Sequence, residues 1–124
     1  MDLSIVTNHA PTIGRILIGF YFFFFVFWNS YHATDALAVM RQVKIPFPIF
    51  VFVTGLTLQG VTGLLIVFNI FVSVSAVLLI FFDIFATFIF HRFWTMNGAL
   101  RTLNTIIFIG NLTVTLGALL LLIT

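Results

Sequence analysis

The sequence has no cysteine and no glutamate, and only eight of its 124 residues carry charge: Asp2, Asp35, Asp83, Arg15, Arg41, Lys44, Arg92 and Arg101. Without cysteine there is no disulfide, no thiolate nucleophile, no iron–sulfur cluster and no cysteine-based zinc site. Soluble domains carry about 25% charged residues. A fraction of 6% leaves a surface that water cannot wet, which excludes a cytosolic globular enzyme. The net charge of +2 is too small and too scattered for a nucleic-acid partner. Paired carboxylates, a glycine-rich phosphate loop and a Ser-His-Asp set are also missing. What remains is 62% hydrophobic residues, 18 of the 124 being Phe, with a mean hydropathy of +1.28. That is the composition of an integral membrane protein.

A helical span needs about 20 apolar residues to cross roughly 30 Å of hydrocarbon. The first such run is Ile13–Tyr31, with Pro11 placed for the first helical turn. Asp2 precedes it and no basic cluster opens it. It therefore reads as a retained span, with Ala36-Leu37-Ala38 only a weak cleavage signal. From Ile45 to Phe90 the sole charge is Asp83. As one helix that stretch would measure about 69 Å, more than twice the bilayer, so it must fold back once, and Asn69 near its midpoint is the best turn. The last run is Thr105–Thr124. Continuous runs of this length predict helices, because lipid offers backbone groups no partner. The expected fold is all-α: one domain over 1–124, a transmembrane bundle of four helices with spans near 12–32, 47–68, 70–91 and 104–123.

Two polar connectors, 33–45 and 92–104, lie on one side with both termini on the other. The connector side holds Arg41, Lys44, Arg92 and Arg101. The positive-inside rule puts that side in the cytoplasm and the termini outside. Each connector is expected to carry a short interfacial helix: one capped by Thr34 or Asp35 with Leu37, Met40 and Val43 toward lipid, the other over Phe93, Trp94, Met96, Leu100 and Leu103. Trp28 and Trp94 suit the aromatic belt on the same side.

Intramembrane polar residues are costly and each asks for a partner. Helical spacing puts Arg15, Gly19 and Asn29 on one face of the first span, and Gly55, Gln59 and Thr62 on one face of the second. It aligns Ser73, Ala76, Asp83, Thr87 and His91 on the third, and Arg101, Asn104, Phe108, Asn111 and Thr115 on the fourth. Asp83, Gln59 and Asn111 lie about 10–16 Å below the connector side and can share one layer. Either they form a hydrogen-bonded lock that sets helix register, or they line a cavity for a polar head such as a quinone ring or a lipid headgroup, with His91 and Arg92 at its mouth. Asp83 has no cation at its own depth, so desolvation favours its protonated form. A proton relay through it would need a water path. His32 and His91 end their helices on the same side, where a pair of histidines could hold a b-type haem, although interfacial histidines more often meet water. Gly55, Gly60 and Gly63 read as packing positions that let helices approach.

Taken in order, the motifs resemble the DoxX family of small bacterial membrane proteins. Arg15-Ile-Leu-Ile-Gly19 is similar to the family's opening Arg-x-x-x-Gly. Val43-Lys44-Ile45-Pro46-Phe47-Pro48 is similar to its Gly-x-Pro-x-Pro stretch before the second helix. Gln59-Gly60-Val61-Thr62-Gly63-Leu64-Leu65 looks like Glu-x-x-Gly-Gly-x-x, and His91-Arg92-Phe93-Trp94 closes the third helix. Phe108-Ile109-Gly110-Asn111-Leu112 and Leu116-Gly117-Ala118-Leu119-Leu120 resemble the fourth-helix elements. The resemblance spans nearly the whole chain. Against the family pattern, the acidic residue is here the neutral Gln59, Gly110 stands where Lys is usual, and the basic residues expected near the end of the first helix and after Asn69 are absent. The resemblance implies a four-helix protein of the bacterial inner membrane. Some relatives take part in quinone-linked sulfur oxidation or membrane redox assemblies.

The expected function is a non-catalytic accessory subunit of a bacterial envelope complex, in contact with a membrane partner or with copies of itself. The alternatives are a quinone-binding redox subunit using Asp83, Gln59, Asn111, His91 and Arg92, or a small lipid-binding or transport protein. Quinone is the cofactor to test, haem is unexpected, and no metal site is expected.

Overall fold

The computed structural model describes residues 3–123; Asp2 and Thr124, cited above, lie outside them. Six α-helices follow one another: α1 (Ser4–Tyr31), α2 (Ala33–Gln42), α3 (Pro48–Val67), α4 (Val72–Phe90), α5 (Gly98–Gly110) and α6 (Leu116–Leu121). A π-helical turn, Asn111–Thr115, joins α5 to α6, so the two form one continuous fourth span. Four helical segments are thus long and apolar enough to cross a membrane. Most large side chains on them are exposed in the isolated chain, Phe20, Phe24, Phe27, Phe50, Phe81 and Phe85 among them. A bundle that is hydrophobic on its outside needs lipid as its solvent.

The helix boundaries have local causes. Pro48 occupies the first turn of α3, where its missing N–H costs nothing. The fold-back between α3 and α4 falls at Asn69, as expected, with Asn69 and Phe71 both in the left-handed region. Asn tolerates that conformation better than most residues, and the Asn69 N–H donates to the Ile66 carbonyl at 3.2 Å. At the other end α1 begins earlier than the apolar run suggests. Pro11 lies inside it rather than in its first turn. Pro11 removes the amide that would bond the Thr7 carbonyl, but the residues there are exposed, where solvent can satisfy the orphaned group. At 28 residues, α1 measures about 42 Å and so overhangs the hydrocarbon.

The core is thin: Phe22, Ile66, Ala76, Leu79 and Leu119. The spans pack in chain order, α1 on α3, α3 on α4, and α4 on the π-helical turn and α6. The α1–α3 pairing is the most extensive of these contacts, and two glycines permit it. A Cβ on Gly19 would fall 2.6 Å from the Gly63 carbonyl oxygen, and one on Gly63 would fall 2.9 Å from the Gly19 carbonyl oxygen. Backbone therefore meets backbone at this crossing, the close approach that small residues allow in membranes. Gly55 and Gly60 meet only side chains, those of Phe82 and Val26.

The first connector holds α2 as expected, but its face differs. Met40 does not point to lipid: it is 2% exposed and turned into the bundle, because α2 lies across the ends of α3 and α4. The third connector holds only a 3₁₀ turn, Phe93–Thr95. Leu100 and Leu103 belong instead to α5, which starts at Gly98 with φ of 61°.

Candidate functional site

Arg15 sits one turn before Gly19 on α1. Its Nη1 donates to the carbonyls of Ile66 and Val67 at 2.6 and 2.7 Å. These are last-turn carbonyls of α3, at the negative end of the helix dipole; that of Ile66 also accepts from the Asn69 N–H. The backbone crossing at Gly19–Gly63 brings the α3 terminus within reach of the guanidinium. The Arg-x-x-x-Gly spacing thus has a physical basis: glycine sets the approach and arginine caps the neighbour. Arg15 is spent at the end of the bundle remote from the connectors.

Asp83 is the deep acid of α4. The buried stripe of that helix runs Ser75, Leu79, Asp83 and Thr87, with Ala76 beside it. Ser75 rather than Ser73 heads it, because four-residue steps keep the face aligned with α3 and the fourth span. Asp83 is 6% exposed, and its Oδ2 has no hydrogen-bond partner. A buried polar atom left so is uncommon.

Asp83 also lines a cavity of about 510 Å³ on the connector half of the bundle, although its Oδ2 is itself buried away from that space. The polar wall of the cavity includes Asp83, Gln59, Asn111, Asn29, Thr87, His91 and Tyr21. Three residues expected in one layer, Asp83, Gln59 and Asn111, therefore do face one space. They do not bond one another. Gln59 Oε1 accepts from Asn29 Nδ2 at a long 3.5 Å. Asn111 Nδ2 donates to Thr87 Oγ1 at 3.2 Å. The π-helical turn begins at Asn111; such a bulge rotates the residues that follow and is frequent at functional sites. Asp83 bonds to neither pair, so the three do not make up a closed lock. The remaining walls are apolar, with Phe22, Phe25, Phe52, Phe82, Phe85 and Phe90 prominent.

His91 closes α4 on the cavity wall, where its Nδ1 and Asn104 Oδ1 lie 2.7 Å apart. Asn104 is itself 7% exposed, and its Nδ2 donates to the Leu100 carbonyl at 2.9 Å. Arg92 is not on the cavity wall. Its Nε turns back to the Phe88 carbonyl at 2.9 Å, capping α4 as Arg15 caps α3. His32 is held by the Trp28 carbonyl at 2.9 Å and stacks on the Trp28 ring at 4.6 Å. Among the described residues no three His, Asp or Glu side chains are grouped so as to hold a metal ion.

Sequence reasoning missed three contributors. Met40 and Ala36 of α2 roof the cavity on the connector side; their spacing was visible, but their inward orientation depends on where α2 lands. Asn29 as the partner of Gln59 was foreshadowed only by its place on the polar stripe of α1.

A family model, DoxX, matches residues 10–92, which takes in α1 from Ala10, α2, α3, α4 and Arg92. The fourth span, with Asn104 and Asn111, lies beyond the match. No curated protein and no solved structure matches the chain.

Proposed function

The chain belongs to the DoxX family, and from that premise we propose that this multi-pass membrane protein is a non-catalytic subunit that holds the polar head of a lipid-soluble small molecule inside the bilayer. The heads in question are a quinone-type ring or a lipid headgroup. The observation that carries the reading is a deep carboxyl, Asp83, among the few polar residues lining a largely apolar cavity. Its volume of about 510 Å³ suits a small-molecule site, typically about 300–1,000 Å³ with few polar groups. A holding role rather than a catalytic one is favoured by the composition of the wall. It offers one carboxyl, amides and a histidine already engaged by Asn104, and the chain has no thiol. The proposal places the protein in the bacterial inner membrane, as an accessory part of a larger complex or an assembly of copies, with residues 33–45 and 92–104 cytoplasmic.

The test is native mass spectrometry of gently solubilised protein. Wild type is expected to carry an extra small-molecule mass that an Ala86→Phe variant, filling the cavity, loses while keeping its thermal stability. Identical bound species in both proteins would refute the reading.

A further inference from the structure

The connector end of the bundle carries positive charge that the chain itself does not answer. We propose that Arg92 and Arg101 form an interfacial site for the phosphate of an anionic glycerophospholipid, seated beside Trp94. None of the three lines the cavity, so the site stands apart from the reading above.

The chemistry starts from an imbalance. The two connectors hold Arg41, Lys44, Arg92 and Arg101 against a single acid, Asp35. Asp35 belongs to the first turn of α2, and residues 92–104 contain no acid at all. The Arg92 Nε donates to the Phe88 carbonyl. That bond anchors the guanidinium and leaves both Nη groups without a partner among the described residues. Arg101 is exposed, and its guanidinium also bonds no described residue. It falls in the first turn of α5, where the helix dipole opposes a cation. Neither an acid nor a side-chain cap offsets it there. Two unanswered cations side by side call for an external anion.

The fold brings the two arginines together. His91 Nδ1 and Asn104 Oδ1 lie 2.7 Å apart. Arg92 follows His91 in the chain, and Arg101 lies three residues before Asn104, a neighbour on the same helix face. The arginines therefore flank this contact. The turn between them is stiffened by rings. Phe108 of α5 packs edge-on against Phe88 and Phe93, both at 5.2 Å, and against Trp94 at 5.7 Å. Trp94 is itself half exposed, and indoles favour the headgroup level of a bilayer. Guanidinium groups pair with phosphate through parallel N–H bonds, and at that level the phosphate at hand is lipid phosphate. A choline lipid brings its own ammonium, which arginine repels. Phosphatidylglycerol brings none, so the site prefers the lipid with net negative charge.

The experiment reads Trp94 fluorescence in the full chain carrying Trp28→Phe, in nanodiscs of mixed phosphatidylcholine and phosphatidylglycerol. One lipid or the other bears bromine on its acyl chains. Bromine quenches the indole, so the two quenching curves give the relative occupancy of each lipid beside Trp94. Each basic group near a charged headgroup contributes about fivefold. Phosphatidylglycerol is therefore expected to be favoured about tenfold or more. Arg92→Gln and Arg101→Gln should each remove about fivefold, and the double variant should bring the lipids to parity. Arg101 is exposed, so its variant tests the site even if Arg92→Gln perturbs the turn. Arg101→Lys should keep most of the preference, and Arg41→Gln with Lys44→Gln on α2 should keep all of it. Parity before either arginine is changed, an unaltered ratio in Arg101→Gln, or a preference lost only in the α2 variant would overturn the proposal. So would a preference abolished by millimolar glycerol phosphate but not by sodium chloride of equal ionic strength, because that marks a site for free phosphate.

Discussion

Replacing Gly19 with alanine tests the central contact of the fold. The added Cβ would stand 2.6 Å from the Gly63 carbonyl oxygen and 2.8 Å from the Val67 backbone nitrogen. Neither atom belongs to a flexible side chain that could swing away. Ordinary contact would require α1 and α3 to separate by about 0.8 Å. Such a shift loosens the most extensive helix pairing in the chain and draws Arg15 away from the Ile66 and Val67 carbonyls. Overpacking of this kind costs about 1–3 kcal/mol. Alanine is the better helix former by roughly 1 kcal/mol, so the steric penalty must exceed that gain to be seen. Gly14 supplies the control: it lies in the same helix and a Cβ there meets nothing within 4 Å. In detergent, Gly19→Ala is expected to melt several degrees below wild type by tryptophan fluorescence, and Gly19→Val lower still. Gly14→Ala should match or exceed wild type. Equal melting temperatures for Gly19→Ala and Gly14→Ala would refute the backbone-to-backbone crossing.

Two further outcomes follow from the polar contacts. Arg15→Ala removes two charge-assisted hydrogen bonds and should cost about 1–3 kcal/mol, with Arg15→Lys restoring only part because it lacks the planar guanidinium; unfolding in graded denaturing detergent measures both, and an Ala variant as stable as wild type would show that the α3 terminus needs no cap. Asn104→Leu leaves the His91 ring without its partner and should speed hydrogen exchange at amides 92–98 while leaving α3 unchanged; uniform protection across that turn would contradict it.

Much of this architecture was legible in the chain because lipid imposes one dominant rule. Apolar runs of set length must be helices, and a run of twice that length must turn. Asn69 could be picked out as the turn because it lies near the midpoint of a run twice the length of a span. Asp83 could be picked out as deep because helix rise converts its distance from His91 into depth. The candidate site was legible to the same extent: Asp83, Gln59, Asn111 and His91 were each placed on an inward stripe, and they line one cavity. Arg92 was not separable from them, since its turn back to the Phe88 carbonyl depends on how α4 ends.

Periodicity reports which face a residue occupies but not what lies opposite. The sequence by itself therefore determined the number of spans, their alternating direction, the polar stripe on each and the depth of the lone deep carboxyl. Only the tertiary structure decided who meets whom. It decided that Gly19 and Gly63 touch through their backbones, that Arg15 caps α3, and that Met40 turns inward as part of a roof. It also decided that Gln59 and Asn111 take other partners, leaving Asp83 Oδ2 with none. Those pairings join residues far apart in the chain, and a hydrogen bond is settled by distance and angle across a helix interface. A stripe on a single helix cannot supply either.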